Sequence, residues 1–169
     1  MTYKKLSIVF FALILSVSLS RIIPHPPNFT PIISLAIIGP FLFRNLYLCI
    51  FCILCSMIIS DFFIGFHDGL LQIYLIIILI CILFDKFKKK VNSINLLYFS
   101  FSGSLIFFVL SNFNVWFFGD LYAKDINGLI NCYIMAIPFF TNTLISTIIF
   151  SYLIFFISNE IAKISYLKN

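Results

Sequence analysis

The side chains in this sequence able to bind or transform a small molecule fall into three short polar segments, separated by long apolar runs. The first segment is Arg21-Ile22-Ile23-Pro24-His25-Pro26-Pro27-Asn28-Phe29-Thr30-Pro31. Its prolines fix φ and push each preceding residue toward extended geometry, so 24–27 reads as a stiff strut that holds His25 and Asn28 in place. Thr30 and Pro31 then suit the cap and first residue of a helix. The second segment carries Ser60-Asp61 and, after an aromatic stretch, His67-Asp68-Gly69. Asp61 lies between apolar neighbours, where a carboxylate needs a partner, and Arg21 is the obvious one. Such a pair could be a structural tie or a ligand contact. The third segment, 112–122, mixes Asn112, Asn114 and Asp120 with Trp116 and Tyr122.

Imidazoles with carboxylates can ligate metals or move protons. None of His25, His67, Asp61 and Asp68 has a ligand spacing that specifies a metal, so no metal site is assigned. There is no Ser-His-Asp arrangement and no glycine-rich phosphate loop, so neither an enzyme nor a cofactor is expected. Amides beside large aromatics are what a mostly apolar pocket uses to orient a small ligand. The candidate ligand-binding residues are therefore Arg21, His25, Asn28, Asp61, His67, Asn112, Asn114, Trp116 and Asp120. Trp116 also fits an interfacial aromatic belt.

The elements that position these residues must live in lipid. Of 169 residues, 62% are hydrophobic and 10% charged, and mean hydropathy is +1.13, far from a soluble domain. Runs such as 70–84 and 144–157 lack the alternation of barrel strands, so the fold class is all-α: a polytopic membrane helix bundle. The chain suffices for a single integral membrane domain, 1–169. Hydropathy predicts six transmembrane helices at about 6–22, 30–43, 45–62, 69–85, 94–112 and 139–160, plus an amphipathic outer helix at about 126–137 that ends before Pro138. The start, Lys4-Lys5 followed by an apolar run to Ser18-Leu19-Ser20, also has the shape of a secretory signal. Serines make a poor cleavage site, and the segment fits as a retained first helix.

Charge sets the topology. With six crossings and both termini cytoplasmic, nine of the eleven basic residues lie inside, and only Arg21 and Lys124 lie outside. If 30–43 were instead a re-entrant loop, Arg44 and Lys86 to Lys90 would move outside. The same count places both histidines and four of six carboxylates outside. No basic patch interleaves with exposed aromatics, so nucleic acid is not an expected partner; membrane lipid is.

Three helices carry small-residue stripes: Ala12, Ser16 and Ser20; Ser100, Gly103 and Ser104; and Thr143, Ser146, Thr147 and Ser151. Such stripes let helices approach closely, and most serve internal packing. The first is the most regular and is the candidate for docking a partner. Cys49-x-x-Cys52-x-x-Cys55 lacks the Cys-Pro that completes an iron–sulfur run and reads as packing.

The first segment, Ser60-Asp61, Asn114-x-Trp116-x-x-Gly119-Asp120 and Ala136-Ile137-Pro138-Phe139-Phe140-x-Asn142-Thr143 together resemble an uncharacterised bacterial membrane family described as transport proteins. That family is similar in size and layout to the substrate-binding S components of energy-coupling factor transporters. The resemblance adds Asn142 to the ligand-binding candidates. It implies an S-component-like bundle in the bacterial cytoplasmic membrane that captures a vitamin-like molecule or a metal ion from outside. A coupling transmembrane subunit and ATPases would be its partners, the former docking on Ala12, Ser16 and Ser20. The alternative is a structural membrane scaffold of the MreD cell-shape type, which is similar in length and needs no converged outer pocket.

Overall fold

The shortest apolar helix lies at the centre of the molecule. A computed structural model describes residues 3–66 and 68–166, with side chains described for 10–66 and 68–160. Among the described residues there are six α-helices: α1 (Tyr3–Ile22), α2 (Ile32–Phe43), α3 (Leu46–Ile64), α4 (Leu70–Asp85), α5 (Ser93–Phe118) and α6 (Ile126–Tyr166). A 3-10 turn, Lys88–Lys90, lies between α4 and α5. Leu46–Ile64, Ser93–Phe118 and Ile126–Glu160 are long and apolar enough to cross a membrane, whereas Phe10–Ile22, α2 and α4 are apolar but shorter.

Every residue of α2 from Ile32 to Pro40 is buried. A helix that is hydrophobic all round buries all round, and α2 touches α3, α4, α5 and α6. Two glycines permit this closeness. A Cβ added at Gly39 would lie 2.4 Å from Cys49 Sγ, and one at Gly103 would lie 2.6 Å from Ile37 Cδ1. The Cys49 thiol in turn faces the Leu35 carbonyl at 3.8 Å. The stripes on α5 and α6 are buried and take part in this packing, and Ser34 Oγ donates to the Thr147 carbonyl at 3.0 Å.

α1 packs chiefly on α3, through Ile14, Val17 and Ser18. Ser18 Oγ donates to the Ser56 carbonyl across that seam at 3.1 Å. Ala12 and Ser16 are exposed and Ser20 is half-buried. Large apolar side chains cover much of the outside, including Phe11, Tyr47, Phe62 and Leu121.

Chain ends follow local chemistry. Asn45 and Asn92 cap α3 and α5 by accepting from the N–H groups of Leu48 (3.2 Å) and Asn95 (2.8 Å). Asp125 does the same for α6 through Gly128 N–H at 2.7 Å. α2 begins one residue later than the Thr30–Pro31 capping pattern predicts. Pro31 occupies its cap position without a side-chain bond, and Thr30 stands outside the helix.

Two expected boundaries are corrected. α5 runs to Phe118 rather than about 112, so Asn112, Asn114 and Trp116 sit on its last turns instead of in a loop. The expected outer helix at 126–137 and the expected span at 139–160 are one helix, with Pro138 inside it. A proline removes one donor and disfavours helix at the residue before it, but an apolar exterior offers no replacement partners for a frayed backbone, so continuing leaves fewer groups unpaired. In the next turn the Thr143 hydroxyl binds the Phe139 carbonyl at 2.8 Å. The first three turns of α6 thus form a hairpin with α5, fastened by Tyr133 Oη donating to the Val109 carbonyl at 2.7 Å and by ring contact between Phe108 and Tyr133. They are not a separate helix.

Candidate functional site

α1, α3 and α5 finish, and α2, α4 and α6 begin, at one end of the bundle, called the upper end here. The three polar segments therefore meet there. At its centre lies Asp61, which is only 1% exposed. Arg21 Nη2 pairs with Asp61 Oδ1 at 2.7 Å, and Tyr74 Oη donates to Asp61 Oδ2 at 2.5 Å. Arg21 Nη1 donates to the Met57 carbonyl at 3.1 Å and to Ser60 Oγ. One carboxylate thus ties α1, α3 and α4 together, and its charge has a cation and a hydrogen bond as partners.

The guanidinium does not only face Asp61. With its side chain 18% exposed, Arg21 also lines a cavity of about 280 Å³ together with His25, Asn28 and Thr30. Ile32, Ile33, Met57, Ile73, Ile77 and Phe107 supply its apolar walls. A second cavity of about 190 Å³ shares Asn28, Ile73 and Phe107 with the first, and continues past Phe108, Ser111 and Asn112 to Thr143. A few polar groups converging over an apolar floor is the composition of a small-molecule site.

The first loop is held in place from several sides. Asn28 adopts the left-handed conformation, with φ 63°, which asparagine tolerates better than most residues. The Phe29 N–H closes a turn onto the Pro26 carbonyl at 3.0 Å. Asn142 Nδ2 donates to the Pro27 carbonyl at 3.1 Å, and Ser146 Oγ reaches the Asn28 carbonyl at 3.4 Å, so α6 anchors the loop. His25 places Nδ1 2.8 Å from the Pro26 carbonyl and Nε2 3.3 Å from the Arg21 carbonyl. A neutral imidazole can donate to only one of them.

Of the residues singled out from the sequence, Arg21, His25, Asn28 and Asn112 line the cavities, and Asp61 lies directly behind Arg21. Asn142 acts from outside by holding the loop. Asn114 sits beside the α3–α4 turn, with its Nδ2 3.6 Å from where a Cβ on Gly69 would be. Trp116 does not line either cavity: its Nε1 donates to the Ala123 carbonyl at 2.9 Å, bracing the α5–α6 turn. Asp120 is exposed and outside both cavities. His67 lies outside the described residues.

Tyr74, Thr30 and Phe107 were not among the ligand-site candidates read from the sequence. Tyr74 stands in a nearly unbroken apolar run, and only its hydroxyl hinted at a buried acceptor. Among the described residues, no three His, Cys, Asp or Glu side chains gather closely enough to hold a metal ion.

The chain matches a family of unknown function, DUF6580, over residues 2–167, and belongs to it. No curated protein and no solved structure matches it.

Proposed function

We propose that the chain crosses the bacterial cytoplasmic membrane six times with both ends inside, as the substrate-binding membrane subunit of a small-molecule uptake transporter. The single observation that carries this reading is the cavity at the upper end, where Arg21, His25, Asn28 and Thr30 converge above an isoleucine-rich floor. Ligand enters there from outside. A volume of about 280 Å³ sits near the small end of ligand pockets, roughly 300–1,000 Å³, and suits a compact organic molecule with one polar face.

The two basic residues that six crossings leave outside support that topology. Arg21 is held by Asp61. Lys124 donates to the carbonyls of Trp116, Phe117 and Gly119 and so closes the end of α5. Neither is a free charge that would count against the positive-inside bias. The short α2 is surrounded by protein, which removes the need for it to match the bilayer thickness.

The chain carries no nucleotide-binding loop, so energy comes from partner ATPases through a coupling transmembrane subunit. That subunit docks on α1, where Ala12 and Ser16 face outward beside the half-buried Ser20. The resemblance to S components of energy-coupling factor transporters supports the same arrangement.

Native mass spectrometry of the protein extracted in mild detergent tests the proposal. A small molecule bound at one to one, together with ATPase subunits, is the expected result. An empty protein accompanied only by cell-shape proteins would overturn it in favour of a structural scaffold.

A further inference from the structure

At the lower end, opposite the candidate ligand site, is a cavity of about 370 Å³ lined by Pro40, Phe41, Arg44, Lys88 and Lys89. Two segments far apart in sequence form it. α2 stops because Arg44 takes the left-handed conformation, with φ 53°, and the 3-10 turn after α4 brings Lys88 and Lys89 against that end. Lys88 is neutralised by Asp85 at 2.7 Å. Among the described residues, Arg44 and Lys89 have no hydrogen-bond or ion-pair partner.

The positive-inside bias alone asks only for lysines somewhere on this side, solvated and apart. It does not ask for two unpaired cations lining one concavity with a proline and an aromatic ring. The carbonyl end of α2 disfavours an anion here, but it carries only about half a charge, against two full cations.

We propose that this cavity binds a phosphate group, namely that of an anionic phospholipid headgroup of the inner leaflet. Arg44 and Lys89 contact the phosphate oxygens, while Pro40 and Phe41 meet the glycerol and first chain carbons. The bound lipid fastens the end of α2 to the α4–α5 turn. The proposal rests on the membrane placement above but not on the transport role.

The test is native mass spectrometry of delipidated protein titrated with phosphatidylglycerol or phosphatidylcholine, with inorganic phosphate in a parallel series. Wild type is compared with Arg44→Gln/Lys89→Gln and with Lys86→Gln/Lys90→Gln, which removes the same charge outside the cavity. Lys89→Gln alone, at an exposed side chain, guards against misfolding of the first double variant, and melting curves check all of them.

Phosphatidylglycerol should bind wild type in preference to phosphatidylcholine, and the cavity double variant should lose about thirtyfold in affinity. Lys89→Gln should lose part of it, and the control pair less than about twofold. If inorganic phosphate binds wild type equally well and is lost from the same variant, the phosphate site stands and its source is soluble. Equal losses in both double variants, or no preference for the anionic lipid, overturn the proposal.

Discussion

Replacing Arg21 with methionine removes the cation that compensates Asp61, and the structure sets the size of the effect. Asp61 is 1% exposed and would keep only the Tyr74 hydroxyl as a partner. Stranding a buried charge in this way costs about 3–5 kcal/mol. Asp61→Leu is milder, about 2 kcal/mol, because the guanidinium keeps Ser60 and Met57 and can turn toward the cavity. Removing both partners together leaves no stranded charge, so Arg21→Met/Asp61→Leu should cost no more than about 2 kcal/mol. The coupling energy is then about 3–5 kcal/mol, well beyond the roughly 0.5 kcal/mol expected of independent sites. Tyr74→Phe, which deletes one hydrogen bond to a charged group, should cost about 1.5–3 kcal/mol in wild type and almost nothing in the Asp61→Leu background. The assay is reversible unfolding in mixed micelles, followed by helical circular dichroism. Additive losses from Arg21→Met and Asp61→Leu would refute the idea that this pair forms one buried unit.

Other substitutions probe other parts of the bundle. Gly39→Ala drives a methyl into Cys49 Sγ and should destabilise by about 1–3 kcal/mol, with part of the loss restored by adding Cys49→Ala; the same unfolding assay reads both. The hydroxyls of Ser100 and Ser104 are buried without hydrogen-bond partners, so Ser100→Ala/Ser104→Ala should leave the melting temperature unchanged or raise it. Single cysteines introduced at Asp120 and at Lys89 should react with a membrane-impermeant maleimide from opposite sides: Asp120→Cys in intact cells, Lys89→Cys only after permeabilisation. Labelling of both in intact cells would contradict six crossings.

Hydropathy located all six helices because a long apolar run has few other uses, and the starts of α2, α3, α4 and α5 fell within two residues of expectation. What it missed depends on partners. Pro138 was read as a stop because proline disfavours helix at the residue before it, but the neighbouring α5 and the apolar exterior keep α6 continuous through it. Trp116 and Asn142 have the residue types of a ligand site, yet their polar groups are spent on the Ala123 and Pro27 carbonyls, a choice that only the folded backbone decides. The Arg21–Asp61 pair was foreseeable because an acid in an apolar run demands a cation, and Arg21 was the obvious one. Tyr74 was hidden in a run whose hydropathy outweighed its single hydroxyl.

The cavity itself is tested most directly by filling it. Ile73 lines both cavities at the upper end, and Ile73→Trp adds bulk there while Arg21, Asp61 and Tyr74 all remain in the chain. Wild type and variant, purified identically and shown to melt alike, are extracted with organic solvent and the released small molecules compared by mass spectrometry. A compound present at near-equimolar amount in wild type and absent from Ile73→Trp is the predicted result. The same compounds in both proteins, or none in either, would contradict a ligand-binding role for the cavity.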